Sequence, residues 1–412
     1  MQRNKTVLFV MAPFVSHLLP TYKIGLYFQE RGYKVVYVST VKCEQHIVQH
    51  GFLFQNSAVR DENAKVMKVE DLVSFLVSKY HAALFLVEVS FWSWGLLLQG
   101  CRQRFIMIQT WPCCDRAPFL LTEGYRIMQK RNLFTYITNV FSWRKENRRA
   151  RELLQSGDLK SYYDELVIKA GLDPSGKYIS RQNRIGYFRI LHVPEIILYP
   201  LEFDFPRRKN KNTWFAGPFI DTTRPEVNGS FPVLPDSPLI YCSLGSMTNL
   251  YKNSRSFYDR MIAAFTQRPG MTLVMSVGNV INEIDLSGLP SNIHICAYAP
   301  QLHLLKKAAV FITQGGAGSV KEAIHFGVPM VIYPWVTAKN SDQLGIADRV
   351  IYHHLGVLGD IENDQPADIL KRIDLVHGNK KIMGSMHHMQ SVFQRYAGNE
   401  KNIIDAMIRF AE

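Results

Sequence analysis

The stretch FITQGGAGSVKEAIHFGVP, Phe311 to Pro329, runs from a short apolar strand through three glycines, Gly315, Gly316 and Gly318, into a helical pattern. A strand, a glycine loop and a helix in that order aim backbone N–H groups and a helix N-terminus at an anion. Two phosphate-binding fingerprints fail on spacing. A Walker A loop needs four residues between its glycines and then Gly-Lys-Ser/Thr, which is missing here, and a dinucleotide GxGxxG begun at Gly316 would need glycine where Lys321 stands.

Around this stretch the second half of the chain alternates strand and helix: PLIYCSLGS, a helix from Ser254 to Gln267, MTLVMSVG, IHICAY, a helix at Gln301 to Lys307, AVFITQ, a further helix and PMVIYP. The first half alternates in the same way. TVLFVMAP reads as a strand, LLPTYKIGLYFQERGY as a helix with Gly32 near its end, and KVVYVST as a strand; HAALFLVE and RFIMIQT repeat the apolar runs expected of buried parallel strands. The middle, from about Trp111 to Leu191, reads as a helical insertion. From Glu202 to Pro238 six prolines and basic residues interrupt the pattern, and the interdomain linker is placed at 206–238. The expectation is an α/β protein with two doubly wound domains, 1–205 and 239–395, and a last helix, 396–412, packing back on the first.

With 412 residues, two domains is the working count. No window approaches the roughly 20 consecutive apolar residues that cross a bilayer, and TVLFVMAP leads into a polar helix without a cleavage site, so it reads as a buried first strand. The six cysteines include no CxxC pair, and reduced structural thiols in a cytoplasmic protein are expected. Net charge is +13, from 48 basic against 35 acidic residues. Much of it sits in WRKENRRARELL (Trp143 to Leu154) and PRRKNK (Pro206 to Lys211), the first helical and the second linker-like. Neither carries a nucleic-acid-binding signature. A solvated helix face and a peripheral contact with an anionic membrane both fit the first.

The run AYAPQLHLLKKAAVFITQGGAGSVKEAIHFGVPMVIYP, with SDQLGIADRV after it, resembles the donor-site signature of family 1 glycosyltransferases, which use nucleotide sugars. In that family an aromatic-x-Pro-Gln turn precedes a strand, His-Gly-Gly, a serine and a glutamate on the next helix, Gly-Val-Pro, and Asp-Gln. The counterparts here are Tyr298, Ala299, Pro300 and Gln301; Gly315, Gly316 and Gly318; Ser319 and Glu322; Gly327, Val328 and Pro329; and Asp342 and Gln343, with Gln314 in the histidine's place. Ser16-His17-Leu18-Leu19-Pro20 looks like the family's Gly-His-x-x-Pro turn, WFAGP its linker Gly-Pro, and YCSLGS its first C-domain strand, with Ser246 in the turn. SDQLGIADRVIYHHLG is similar to bacterial zeaxanthin and macrolide-type glucosyltransferases. The resemblance implies the GT-B fold, two facing Rossmann-like domains with a cleft between them. It also implies a UDP-sugar donor, UDP-glucose by family frequency, bound by the C-domain, an acceptor bound mainly by the N-domain, and no metal or prosthetic group.

Each residue type suits the role that the resemblance implies, and each has a plainer reading. Tyr298 can stack on a flat base or be core. Glu322 can accept from ribose hydroxyls or complement a helix dipole, and Gln301 can meet the ribose or cap a turn. Ser246, Gln314 and Ser319 can add donors to the loop amides around a diphosphate, although Ser319 also suits a helix start. Asp342 and Gln343 suit adjacent sugar hydroxyls or a surface. An acceptor hydroxyl needs a base, and His17 is the candidate; Glu88, ending HAALFLVE where the family commonly has aspartate, is the candidate to orient it. A strand-closing Glu88 is the plainer alternative, with Thr110 ending the next strand. FWSWGLLL, TWPCCDRAPFLL and NLFTYITNVFSW offer apolar surface for a terpenoid, carotenoid, polyketide or phenolic acceptor, or ordinary core. Inverting transfer of a sugar to such a hydroxyl is the expected function. A relative that binds nucleotide sugar or a partner without transfer is the alternative, raised by Gln314 and Glu88; a nucleotide-sugar epimerase fits His17 and the Asp342-Gln343 pair less well.

Overall fold

The computed structural model describes residues 5–60, 65–113, 115, 117, 120–121, 126, 132–153, 155, 157–180, 188–207, 210–226, 236–245, 248, 254–335 and 342–412. The chain divides into two compact units. One is formed by 1–122, 128–221 and 396–412, the other by 222–395 with 123–127.

In the N-terminal unit, β1 (Thr6–Val10), α1 (Val15–Glu30), β2 (Lys34–Ser39), α2 (Glu44–Gln49) and β3 (Leu53–Asn56) are followed by α3 (Val69–Tyr80), β4 (Leu84–Glu88), α4 (Trp92–Gly100) and β5 (Phe105–Gln109). Then come α5 (Leu133–Leu153), α6 (Asp158–Lys169), β6 (Glu195–Ile197) and β7 (Thr213–Phe215). Their sheet has the order β3-β2-β1-β4-β5-β6-β7, and its strands pair in parallel. All five residues of β1, of β4 and of β5 are buried, as expected of central parallel strands covered on both faces. Val7, Phe9, Leu18, Ile24, Leu84, Leu86, Ile106 and Ile108 share one apolar cluster with Ile404 and Met407 from the end of the chain.

The C-terminal unit comprises β8 (Leu239–Ser243), α7 (Ser254–Thr266), β9 (Thr272–Ser276), β10 (Ile293–Cys296), α8 (Gln301–Leu305) and β11 (Ala308–Thr313). It continues with α9 (Ala317–Phe326), β12 (Met330–Ile332), α10 (Asp342–Tyr352), β13 (Gly356–Leu358), α11 (Pro366–Val376) and α12 (Lys380–Ala397). Its sheet order is β10-β9-β8-β11-β12-β13, again in parallel register. The last helix, α13 (Glu400–Ala411), belongs to the N-terminal unit. Buried Glu400 ties it there: its carboxylate accepts from Phe219 N–H (3.0 Å) and Tyr27 O–H (3.2 Å) and pairs with Lys23 Nζ (2.8 Å).

The segment read from its prolines and charges as the start of the linker differs from that expectation. β7 completes the N-terminal sheet beside β6, and Arg207 of PRRKNK is buried, paired with Asp204 at 3.0 Å and donating to the Cys113 and Asp115 carbonyls. Proline and basic residues look like linker chemistry, but a guanidinium that satisfies several buried acceptors is structural. The five cysteines described, Cys43, Cys101, Cys113, Cys242 and Cys296, are thiols and form no disulfide among the described residues. Among the described residues no helix is long and apolar enough to cross a membrane.

Candidate active site

In each unit the strand order reverses at one place, between β1 and β4 in the first sheet and between β8 and β11 in the second. Ligands of open parallel α/β sheets bind outside the carboxyl ends of strands at such switch points, because the loops on either side diverge to opposite faces. The sequence-predicted residues fall at both.

At the first switch point β1 ends at Val10 and α1 begins at Val15, which puts His17 in the first helical turn. Val10 pairs with Val87, so the next residue of β4, Glu88, lies beside the loop that leads to His17. Glu88 is fully buried and makes three hydrogen bonds. Its Oε2 accepts from Ala12 N–H at 3.0 Å, and its Oε1 accepts from Ser90 Oγ at 2.8 Å and meets His17 Nδ1 at 2.9 Å. A carboxylate only accepts, so Nδ1 carries the hydrogen and Nε2 is the basic nitrogen of the ring. The imidazole is about a quarter exposed and lies between two aromatic rings, Phe14 at 5.4 Å and Trp111 at 5.6 Å between centroids. With the extra methylene of glutamate the carboxylate still reaches the ring. Sequence reading missed Ser90 and Trp111; TWPCC gave the aromatic but nothing to aim it at His17.

At the second switch point β8 runs into Leu244-Gly245 and β11 into Gln314-Gly315-Gly316. Gly245 and Gly315 have φ of +79° and +86°, the left-handed region that glycine adopts at little cost. A Cβ on Gly245 would lie 2.6 Å from Gln314 Nε2, so the glutamine amide is seated directly over the glycine backbone. Among the described residues the Gln314 Oε1 is buried without a hydrogen-bond partner. Ser246 lies outside the described residues. Helix α9 starts after Gly316, with Gly318 and Ser319 in its first turn, and ends on Gly327 at φ +74°.

Glu322, in the second turn of α9, is the centre of a network. Its Oε2 accepts from Gln301 Nε2 at 2.7 Å, and the same Nε2 lies 3.5 Å from Ser319 Oγ. Gln301 Oε1 in turn accepts from the Tyr241 hydroxyl at 3.3 Å, and burial pushes that phenol well above its ordinary pKa, so it donates as a neutral group. Ala299 N–H reaches Ser276 Oγ at 3.3 Å, and neighbouring Tyr298 is 58% exposed. An aromatic ring left that open at a strand-end loop is not core. Asp342 and Gln343 open α10; Gln343 Oε1 accepts from Trp335 N–H at 3.0 Å, and its carbonyl lies near Gly315. The residues directly before Asp342, 336–341, lie outside the described residues.

Two residues of this site went unread in the sequence. Arg224 clasps Glu322 with both guanidinium nitrogens, Nη1 to Oε1 at 2.6 Å and Nη2 to Oε2 at 3.0 Å. Glu226 accepts from the backbone N–H groups of Leu302 and His303, at 2.6 and 3.0 Å, at the start of α8. Both stand in the proline-rich segment, where charge alone signals nothing. Among the described residues no group of three or more His, Cys, Asp or Glu side chains is arranged to hold a metal.

Residues 273–392 match the family described as erythromycin biosynthesis protein CIII-like, C-terminal domain. NDP-glycosyltransferase YjiC of Bacillus subtilis (strain 168) is 30% identical over 223 residues, covering 52% of this chain and 53% of its own. Zeaxanthin glucosyltransferase of Pantoea ananas is 26% identical over 158 residues, 38% of this chain and 35% of its own. The chain thus spans about half the length, or less, of the curated relatives it matches. Among solved structures, the calicheamicin glycosyltransferase CalG4 superposes with a TM-score of 0.72 at 19% identity over 99% of both chains. The glycosyltransferase of kitacinnamycin gives 0.71 at 20% over all of both. The resemblance to family 1 glycosyltransferases carried by the motifs is borne out by these similarities, and the two parallel-sheet units have the architecture of GT-B structures.

Proposed function

We propose that this protein is an inverting glycosyltransferase that moves a sugar from a nucleotide diphosphate donor, UDP-glucose in the first instance, to a hydroxyl of a small hydrophobic acceptor. The observation that carries the reading is the His17–Glu88 hydrogen bond at the first switch point. A neutral imidazole with Nδ1–H fixed on a carboxylate has its basic Nε2 defined, and the carboxylate stabilises the imidazolium that forms when the acceptor proton is taken. The acceptor oxygen then attacks the anomeric carbon as the bond to the diphosphate breaks, in a single displacement that inverts the anomeric centre. The amides of Gly315 and Gly316, the Gln314 side chain and the start of α9 would hold the departing diphosphate, whose developing charge is where stabilisation counts most. Tyr298 would stack on the base, Gln301 and Glu322 would read the ribose, and Asp342 with Gln343 would read the transferred sugar. YjiC, named an NDP-glycosyltransferase, and the zeaxanthin glucosyltransferase support the same class. His17→Ala is expected to abolish transfer while nucleotide binding persists.

One observation favours a second reading, a relative that holds nucleotide without transfer: the buried, unpartnered Oε1 of Gln314 is an acceptor in a loop meant for phosphate oxygens. Exchanging the amide's oxygen and nitrogen would present a donor there, so ligand binding can resolve it. Transfer and binding assays on one sample separate the two readings.

The acceptor's class suggests a peripheral membrane contact through α5. Its inward face is fixed by Asn139 Nδ2 and Trp143 Nε1, both donating to the Leu120 carbonyl at 3.0 and 2.7 Å. At helical spacing the opposite face carries exposed Leu133, Phe134, Ile137 and Phe141 and then Arg144, Lys145, Arg148 and Arg151. An apolar end followed by cationic turns on one face suits a bilayer boundary with anionic headgroups, from which a lipophilic acceptor would be drawn.

A further inference from the structure

Glu322 is reached from two sides. Gln301 comes from α8, next to the predicted base-stacking tyrosine, and Arg224 comes from the segment that precedes β8. The same segment is pinned again two residues later, where Glu226 takes the first amides of α8. The described end of the linker is therefore fastened to the two helices that carry the nucleoside-reading residues, and Arg224 and Glu322 are largely buried, 14% and 8% exposed at their side chains. A buried pair of this kind breaks at a high cost, because whichever partner remains is left charged without compensation. Its planar, two-toothed geometry also fixes the plane of the carboxylate, which a lysine cannot do.

A carboxylate offers about four acceptor positions. On Glu322, Arg224 takes one on each oxygen and Gln301 takes a second on Oε2. One position, on Oε1, is left.

We propose that Arg224 is a positioning residue of the nucleoside pocket, holding Glu322 so that it reads a single ribose hydroxyl instead of the 2′,3′ pair. This rests on the reading of the pocket as a nucleotide-sugar site. Arg224 need not touch the ligand; it sets the plane of the carboxylate and how many hydroxyls it can receive. The nucleoside specificity follows: the protein demands one ribose hydroxyl and tolerates loss of the other.

Titration calorimetry of the full chain with UDP, 2′-deoxy-UDP and 3′-deoxy-UDP tests this. For the unaltered protein, one deoxy analogue is expected to bind about tenfold or more weaker than UDP and the other within about threefold, as for loss of one hydrogen bond to a charged group. Arg224→Ala is expected to weaken UDP about tenfold and, by freeing an acceptor position on each oxygen of Glu322, to bring the two deoxy analogues within about threefold of each other, with Arg224→Lys between the two. Thermal unfolding identifies folded variants, and the lysine variant carries the comparison if the alanine variant does not fold. Equal penalties for both deoxy analogues overturn the single-hydroxyl reading. An Arg224→Ala variant that binds UDP as tightly as the unaltered protein, with the deoxy penalty intact, reduces Arg224 to a structural ion pair. Failure of the unaltered protein to bind UDP or thymidine diphosphate at all refutes the donor-site reading, and this inference with it.

Discussion

Replacing Glu88 with glutamine probes the proposed dyad with almost no change in volume. Three donors converge on the two oxygens: Ala12 N–H on Oε2, and Ser90 O–H and His17 Nδ1–H on Oε1. An amide has one oxygen, so one of two faults must follow. If the oxygen faces His17 and Ser90, the NH2 group faces the Ala12 amide, and a buried donor loses its partner at a cost of about 1 to 3 kcal/mol of stability. If the amide turns the other way, NH2 faces Nδ1 and imposes the tautomer with hydrogen on Nε2, removing the base. Either way the imidazolium loses its counter-charge, and by analogy with a neutralised triad aspartate kcat falls by roughly 10³- to 10⁴-fold, about 4 to 5.5 kcal/mol of barrier. Nucleotide affinity should stay within about twofold, because the dyad lies in the other unit from the donor residues. The assay is steady-state transfer with saturating donor and acceptor, alongside calorimetry with the nucleotide. A Glu88→Gln enzyme whose kcat stays within about threefold of the unaltered value refutes the dyad.

Gln314→His restores a ring N–H that protonation can charge, and donor affinity should rise by about threefold or more, read by calorimetry, since charge-assisted bonds are roughly twice as strong as neutral ones. Gly245→Ala places a Cβ 2.6 Å from the Gln314 amide in a left-handed backbone. About 1 to 2 kcal/mol of stability should be lost to backbone strain alone, and nucleotide binding should weaken with it. Glu400→Ala strips the partner from the buried Phe219 N–H and from Lys23. A loss of about 1 to 3 kcal/mol is expected, with earlier proteolytic release of α13, as followed by thermal unfolding and limited digestion. Vesicles rich in anionic phospholipid should pull the protein down with them, and Phe134→Ser with Arg148→Glu should abolish this, while neutral vesicles leave it in solution.

Parallel architecture was legible because buried strands are written as unbroken apolar runs: TVLFV, LFLVE and FIMIQ each became a fully buried strand. Short strands such as β6 and the edge strand β7 were not, since three residues set no period and β7 lies among prolines and charges. Within the proposed site, Gly315, Gly316, Ser319, Glu322 and Gln301 could be named in advance because their spacing resembles the donor-site signature of family 1 glycosyltransferases. Arg224 and Glu226 could not. Their partners lie 98 and 76 residues away, and an ion pair across such a distance leaves no local trace. The reach of Glu88 to His17 was undecidable from the sequence for a related reason: the two lie 71 residues apart, and whether a side chain one methylene longer meets the ring is set by how the two loops are placed.

The central proposal is that His17 takes the proton of an acceptor hydroxyl that displaces a nucleoside diphosphate from an anomeric carbon. Incubation with an α-linked UDP-sugar and a panel of hydrophobic alcohols, followed by mass detection of glycosides and NMR of the anomeric proton, tests it directly. The account predicts a β-glycoside from the unaltered protein and none from His17→Ala. An α-glycoside would contradict single displacement, and nucleotide binding without any glycoside across the panel would contradict transfer itself.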